Sequence, residues 1–126
     1  MEISTQQQHA GSNCTTSYNS PAGRILIHNI LASNHPISIE PHDYQLDGIC
    51  MSLDGHDVLA TMATGAGKTG FFTFLMLVIC AISKDSSLAI GTRIFPEDPA
   101  MIVICPTKAL QADMVCHGTT GIHRLI

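Results

Sequence analysis

Ala63-Thr64-Gly65-Ala66-Gly67-Lys68-Thr69 stands between a short, mostly apolar run, Asp57 to Met62, and a longer and strongly apolar one, Gly70 to Ile82. That order predicts a buried parallel strand, a tight glycine turn and a helix packed against a sheet. Such an arrangement gathers consecutive backbone N–H groups around an anion and points the positive end of a helix at it. Gly65 and Gly67 let the backbone curl, Lys68 supplies a point charge and the Thr69 hydroxyl can ligate a divalent cation. With Thr64 and Ala66 completing the turn, the stretch reads as a cradle for nucleotide phosphates bridged by magnesium. The usual GxxxxGK[ST] spacing would place glycine where Met62 stands, and short glycine patterns also recur by chance.

Upstream of the loop, Asp43 to Leu53 puts Leu46, Ile49, Cys50 and Leu53 on one helical face, with Asp43 as N-cap and Gly55 closing the turn beyond. Arg24 onward predicts another short helix ending near Asn34, and Pro36 and Pro41 bracket an extended link. Residues 1–23 are polar and rich in Gln, Ser, Thr and Asn, the composition of a disordered tail. Downstream, Gly91, Pro96 and Pro99 mark a connection with a brief strand at Leu88 to Ile90. Met101 to Cys105 predicts a second buried strand stopped by Pro106, and Lys108 to Val115 a following helix.

Composition narrows the setting. The 126 residues suffice for one small domain, 24–115, followed by a tail, 116–126. A net charge of −4 gives no general attraction to a phosphate backbone. Five widely spaced cysteines without a CxxC pair suggest a reduced, intracellular chain, with Cys50, Cys80 and Cys105 as small buried hydrophobes. The seven histidines form no ligand pattern, so no structural metal is expected. The apolar run after the loop falls short of the ~20 residues that span a bilayer, and no membrane partner is expected.

Two further segments, in order around the loop, carry a family resemblance. Pro41-His42-Asp43-Tyr44-Gln45 looks like the adenine-reading Q motif, and Pro106-Thr107-Lys108-Ala109-Leu110 looks like helicase motif Ia. With ATGAGKT between them, the chain resembles the N-terminal RecA-like domain of DEAD/DEAH-box superfamily-two helicases, in particular the RecQ-like branch. The resemblance implies a RecA-like α/β fold with a parallel sheet and flanking helices. It implies ATP and Mg as cofactors, held by Thr64, Gly65, Ala66, Gly67, Lys68 and Thr69, with Lys68 in the catalytic role and Thr69 on the metal. Gln45 would read the adenine edge, since its amide is both donor and acceptor, and His42 would stack on the base. Pro106, Thr107 and Lys108 would grip a nucleic acid through its phosphates, DNA before RNA. A nuclear location is compatible with the resemblance. Taken singly, Gln45 can equally cap a helix, His42 can be an exposed polar residue, and PTKAL can be an ordinary strand stop and helix start.

A hydrolytic site of this kind also needs an acid at the end of an apolar strand. Asp57 precedes its strand, Glu97 and Asp98 lie in a loop, and Asp113 falls inside the last helix. The sequence therefore predicts a truncated domain that lacks the acidic box and the second RecA-like domain, and binds ATP without efficient turnover. Two other readings stay open. A small-molecule P-loop kinase is opposed by Met62 and by the Gln45 spacing. A non-catalytic, nucleic-acid-binding regulatory fragment would show binding that survives loss of Lys68.

Overall fold

A computed structural model describes residues 17–34, 40–63, 65, 67–104, 106–109 and 112. Three helices, α1 (Pro21–Asn34), α2 (Asp43–Leu53) and α3 (Lys68–Lys84), pack on one another, and a 3₁₀ turn (Ser86–Leu88) follows the third.

Each helix starts at a local signal. Ser20 caps α1: its Oγ accepts the Gly23 N–H at 3.0 Å, and Pro21 occupies the first helical position, where its missing N–H costs nothing. The helix therefore begins three residues before Arg24, the start expected from apolar periodicity. His42, and not Asp43, is the N-cap of α2; Asp43 is the first helical residue, where a carboxylate still favours the positive helix end. Gly67, left-handed at φ 76°, launches α3. At the far end of α2, Gly55 is also left-handed (φ 85°), and the Arg93 side chain lies against it where a Cβ would project.

The core is made by Ile27, Ile30 and Leu31 of α1, Ile49, Cys50 and Leu53 of α2, and Phe74, Val78 and Ile82 of α3. Burial pushes the Cys50 thiol up to about 11, consistent with an inert, space-filling side chain. Tyr18 completes the cluster, although residues 1–23 were expected from composition to form a polar tail. Its ring meets Phe95 edge-on, and its hydroxyl accepts the Ile90 N–H at 3.0 Å while donating to the Leu88 carbonyl. A single aromatic in a polar stretch gives no periodicity to detect.

Asp54, just beyond α2, anchors the segment that carries Tyr18. Its carboxylate accepts the Ser17 hydroxyl at 2.6 Å and the Tyr18 and Asn19 N–H groups at 2.8 and 3.0 Å. Burial pushes this carboxyl up, but the three donors together outweigh it and hold it below its ordinary value. A depressed folded pKa contributes stability above the unfolded carboxyl value of about 4, and that contribution is lost as pH falls through it and on through the folded value. Acid titration followed by helical circular dichroism is expected to show this loss. In Asp54→Asn it should be smaller, and the variant should be less stable at neutral pH. An unchanged acid profile in Asp54→Asn would show that the clamp does not couple to folding.

The expected strands are where the structure departs from the sequence reading. Among the described residues no strand is present: 56–63 and 99–104 run without ladder partners, and Leu88 belongs to the 3₁₀ turn and not to a strand at 88–90. Leu59 is 96% exposed, and Ile102 and Ile104 are 90% and 91% exposed. The physical reason is that a strand needs a partner segment for its backbone groups and, in a parallel sheet, layers on both faces. Among the described residues these two segments pair neither with each other nor with a third. Lys108 and Ala109 are helical, while Cys105, Leu110 and residues 113–126, with the expected tail at 116–126, lie outside the described residues.

Candidate functional site

The phosphate loop is shaped by two left-handed glycines. Gly65 (φ 82°) and Gly67 (φ 76°) adopt backbone that side-chain-bearing residues rarely enter. Around Gly65 there is open space within 4 Å of where a Cβ would sit. Lys68 opens α3 and is exposed, with Thr69 half-buried behind it. The first backbone bond of α3 runs from the Phe71 N–H to the Gly67 carbonyl at 3.1 Å. The N–H groups of the preceding positions are then not consumed by the helix, as an anion cradle requires. Thr64 and Ala66 lie outside the described residues.

Gln45 joins this loop to the upstream motif. As the third residue of α2 it accepts the His42 N–H through Oε1 at 2.9 Å, the reciprocal half of a capping box. Its Nε2 donates to the Gly67 carbonyl at 2.8 Å, across 22 residues of sequence. The side chain is 3% exposed, so each end of its amide needs a partner, and it has one in the protein itself. The helix-capping reading of Gln45 is therefore what the structure shows, with a second contact, to the loop, that the capping reading did not include. The Gln45 amide thus uses both its donor and its acceptor end within the protein. A Cβ at Gly67 would come within 2.9 Å of Gln45 Nε2, a second reason for glycine there.

His42 is exposed at the mouth of this arrangement. Its ring stacks on Tyr44 with centroids 5.3 Å apart and planes 19° from parallel. Tyr44 did not stand out in the sequence; the signal is an aromatic two residues after His42 in the segment led by Pro41. The third motif is described only at Pro106, Thr107, Lys108 and Ala109, all exposed. The structure thus brings Gln45 and the phosphate loop into direct contact, with His42 bonded through its backbone to Gln45.

The arrangement suits a phosphorylated ligand: left-handed glycines, an exposed lysine at a helix N-terminus and a hydroxyl one residue on. Among the described residues no helix is long and apolar enough to cross a membrane.

Comparisons with known proteins agree with this chemistry. The DEAD/DEAH box helicase family matches residues 42–120, which take in the segment from His42 through the phosphate loop to Lys108. The chain is similar to a probable ATP-dependent RNA helicase ddx41 of Dictyostelium discoideum, 32% identical over 88 residues. It is likewise similar to the ATP-dependent RNA helicase DDX42 of Xenopus laevis, 32% identical over 85 residues, and to that of Homo sapiens, 29% identical over 85. Each alignment covers 68% of this chain but only 12%, 8% and 8% of the respective relative. No solved structure matches the chain. These relatives are named as RNA helicases, so they give no support to the RecQ-like, DNA-directed branch expected from the sequence. The family implies ATP use and a RecA-like α/β fold, of which the described residues supply helices and the loop. With the family match spanning well over half its length, the chain belongs to the DEAD/DEAH box helicases.

Proposed function

We propose that this chain is the ATP-binding and RNA-contacting part of a DEAD-box helicase domain. The observation that carries the reading is the 2.8 Å bond from Gln45 to the Gly67 carbonyl, which ties the upstream motif to the phosphate loop. The backbone of Thr64, Gly65, Ala66 and Gly67 would hold the phosphates, Lys68 would reach the outer ones, and Thr69 would ligate magnesium. Magnesium, when bound, neutralises charge between the phosphates; positioning falls to the loop and to Gln45. The Gln45 amide carries a donor and an acceptor, the pair that the adenine edge presents, and would turn them to the base on binding, with the His42–Tyr44 stack offering a flat surface.

Pro106, Thr107 and Lys108 would meet nucleic-acid phosphates. RNA is favoured over DNA because the similar proteins are named as RNA helicases. Charge does not assist: at a net −4, binding depends on the placement of a few groups.

Titration of the 126-residue chain with Mg·ATP and Mg·GTP, followed by calorimetry, tests the nucleotide part. ATP is expected to bind at least about tenfold more tightly than GTP, the equivalent of one hydrogen-bond difference of ~1.4 kcal/mol. Parallel titration with single-stranded RNA and DNA of one sequence tests the second part, with RNA the tighter and Lys108→Ala weakening it. Absence of Mg·ATP binding would remove the proposal altogether, and equal DNA affinity would remove the RNA preference.

A further inference from the structure

The geometry points to Gly48 and Phe71 as positioning residues that set the phosphate loop's register against α2. The inference rests on the nucleotide-site reading for its functional meaning and on the packing of α2 and α3 for its mechanism.

Beside the phosphate loop, two contacts about one helical turn apart join α2 to the start of α3. At the upper one, Gln45 Nε2 donates to the Gly67 carbonyl at 2.8 Å. At the lower one, Gly48 stands three residues after Gln45, and a Cβ placed there would lie 2.7 Å from Cε2 and 3.2 Å from Cζ of Phe71. The Phe71 ring therefore occupies the room that a side chain at 48 would take. Real Cβ atoms essentially never approach a carbon so closely, so alanine at 48 must push the ring.

The ring's position matters to the loop because the Gly67 carbonyl is shared. It accepts the Phe71 N–H at 3.1 Å as the first bond of α3, and it accepts Gln45 from the side. A Cβ at Gly70 would meet Gln45 Nε2 at 3.5 Å and Phe74 Cε2 at 3.6 Å, ordinary contact distances. Phe71 also meets Phe72 edge-on, with centroids 5.6 Å apart. If the ring yields together with its backbone and not by turning alone, the first turn of α3 moves, and with it the carbonyl that Gln45 holds and the Lys68 that follows it. Gln45 fixes where the loop attaches; Gly48 and Phe71 fix how close α3 comes.

Amide NMR of the whole chain with and without Mg·ATP tests this. In Gly48→Ala the Gly67 and Lys68 amide signals are expected to move while that of Asp54, at the far end of α2, stays in place, and Mg·ATP affinity should fall about tenfold, as overpacking of ~1.4 kcal/mol implies. The double variant Gly48→Ala with Phe71→Leu should return both the signals and the affinity toward the parent, a rescue that general destabilisation would not give. Unmoved Gly67 and Lys68 signals in Gly48→Ala, or signals that the second substitution fails to restore, would overturn the inference. Should Gly48→Ala not fold, Phe71→Leu alone decides: the inference requires a moved Gly67 signal with helical content kept, and an unmoved one defeats it. If the parent chain fails to bind Mg·ATP, the nucleotide reading falls, while the amide signals still judge the positioning claim.

Discussion

Replacing Lys68 with alanine is expected to weaken Mg·ATP binding roughly 10- to 100-fold, the span that the loss of a charge-assisted bond of about 1.5–3 kcal/mol produces. Lys68 is exposed at the first position of α3, next to the left-handed Gly67. Its ammonium and the helix N-terminus then act on the same anion. Alanine is a good helix former, so the change removes charge without disturbing α3. Calorimetric titration beside a circular dichroism spectrum separates the two effects: helicity should be retained while affinity falls. An affinity equal to the parent's would show that the loop does not use this lysine. Binding of RNA that persists in Lys68→Ala, with no nucleotide binding in either form, would favour the non-catalytic binding role over the helicase one.

The second large effect concerns stability. Tyr18→Ala should cost about 3–5 kcal/mol, as truncation of a buried aromatic generally does. The Ile90 N–H loses the hydroxyl it donates to, adding to that cost. Against the ~5–15 kcal/mol of a typical domain, this removes much of the margin at the lower end of that range. Tyr18→Phe keeps the ring against Phe95 and removes only the hydroxyl, so a loss nearer to about 1 kcal/mol is expected. Urea unfolding monitored by helical signal distinguishes them. Equal stabilities for the two variants would mean that the ring is not part of the core.

What could be read from the sequence followed the range of the interaction. The left-handed backbone at Gly65 and Gly67 and the start of α3 at Lys68 depend on adjacent residues, and both follow from the one-dimensional pattern. The apolar face of α2, Ile49, Cys50 and Leu53, was legible for the same reason. Periodicity could not report whether Asp57 to Met62 and Met101 to Cys105 would find partners, because a strand is a property of two segments and an apolar run belongs to one. Nor could it show that Asp54 would hold residues 17–19 from 35–37 positions away. Gln45 falls between these cases. Its identity and spacing suggested a ligand-facing amide, while its bond to the Gly67 carbonyl needed coordinates. The RecQ-like branch found no support in the comparisons, because the three short motifs carry the shared nucleotide chemistry and too little else to separate RNA-directed from DNA-directed members.

The bond between Tyr18 and Ile90 also sets an order of events during synthesis. Tyr18 leaves the ribosome early, yet its hydrogen-bond partner is made 72 residues later. Asp54 emerges between them and can already tether Ser17 to Asn19, so that segment is held close to α2 before α3 is complete. Closing so long a loop in one step would be slow; dividing it at Asp54 lowers the entropy to be overcome at the last step. Nascent chains arrested before Ile90 should therefore contain α1 and α2 with Tyr18 only half enclosed, and the core would seal as the 88–95 segment arrives.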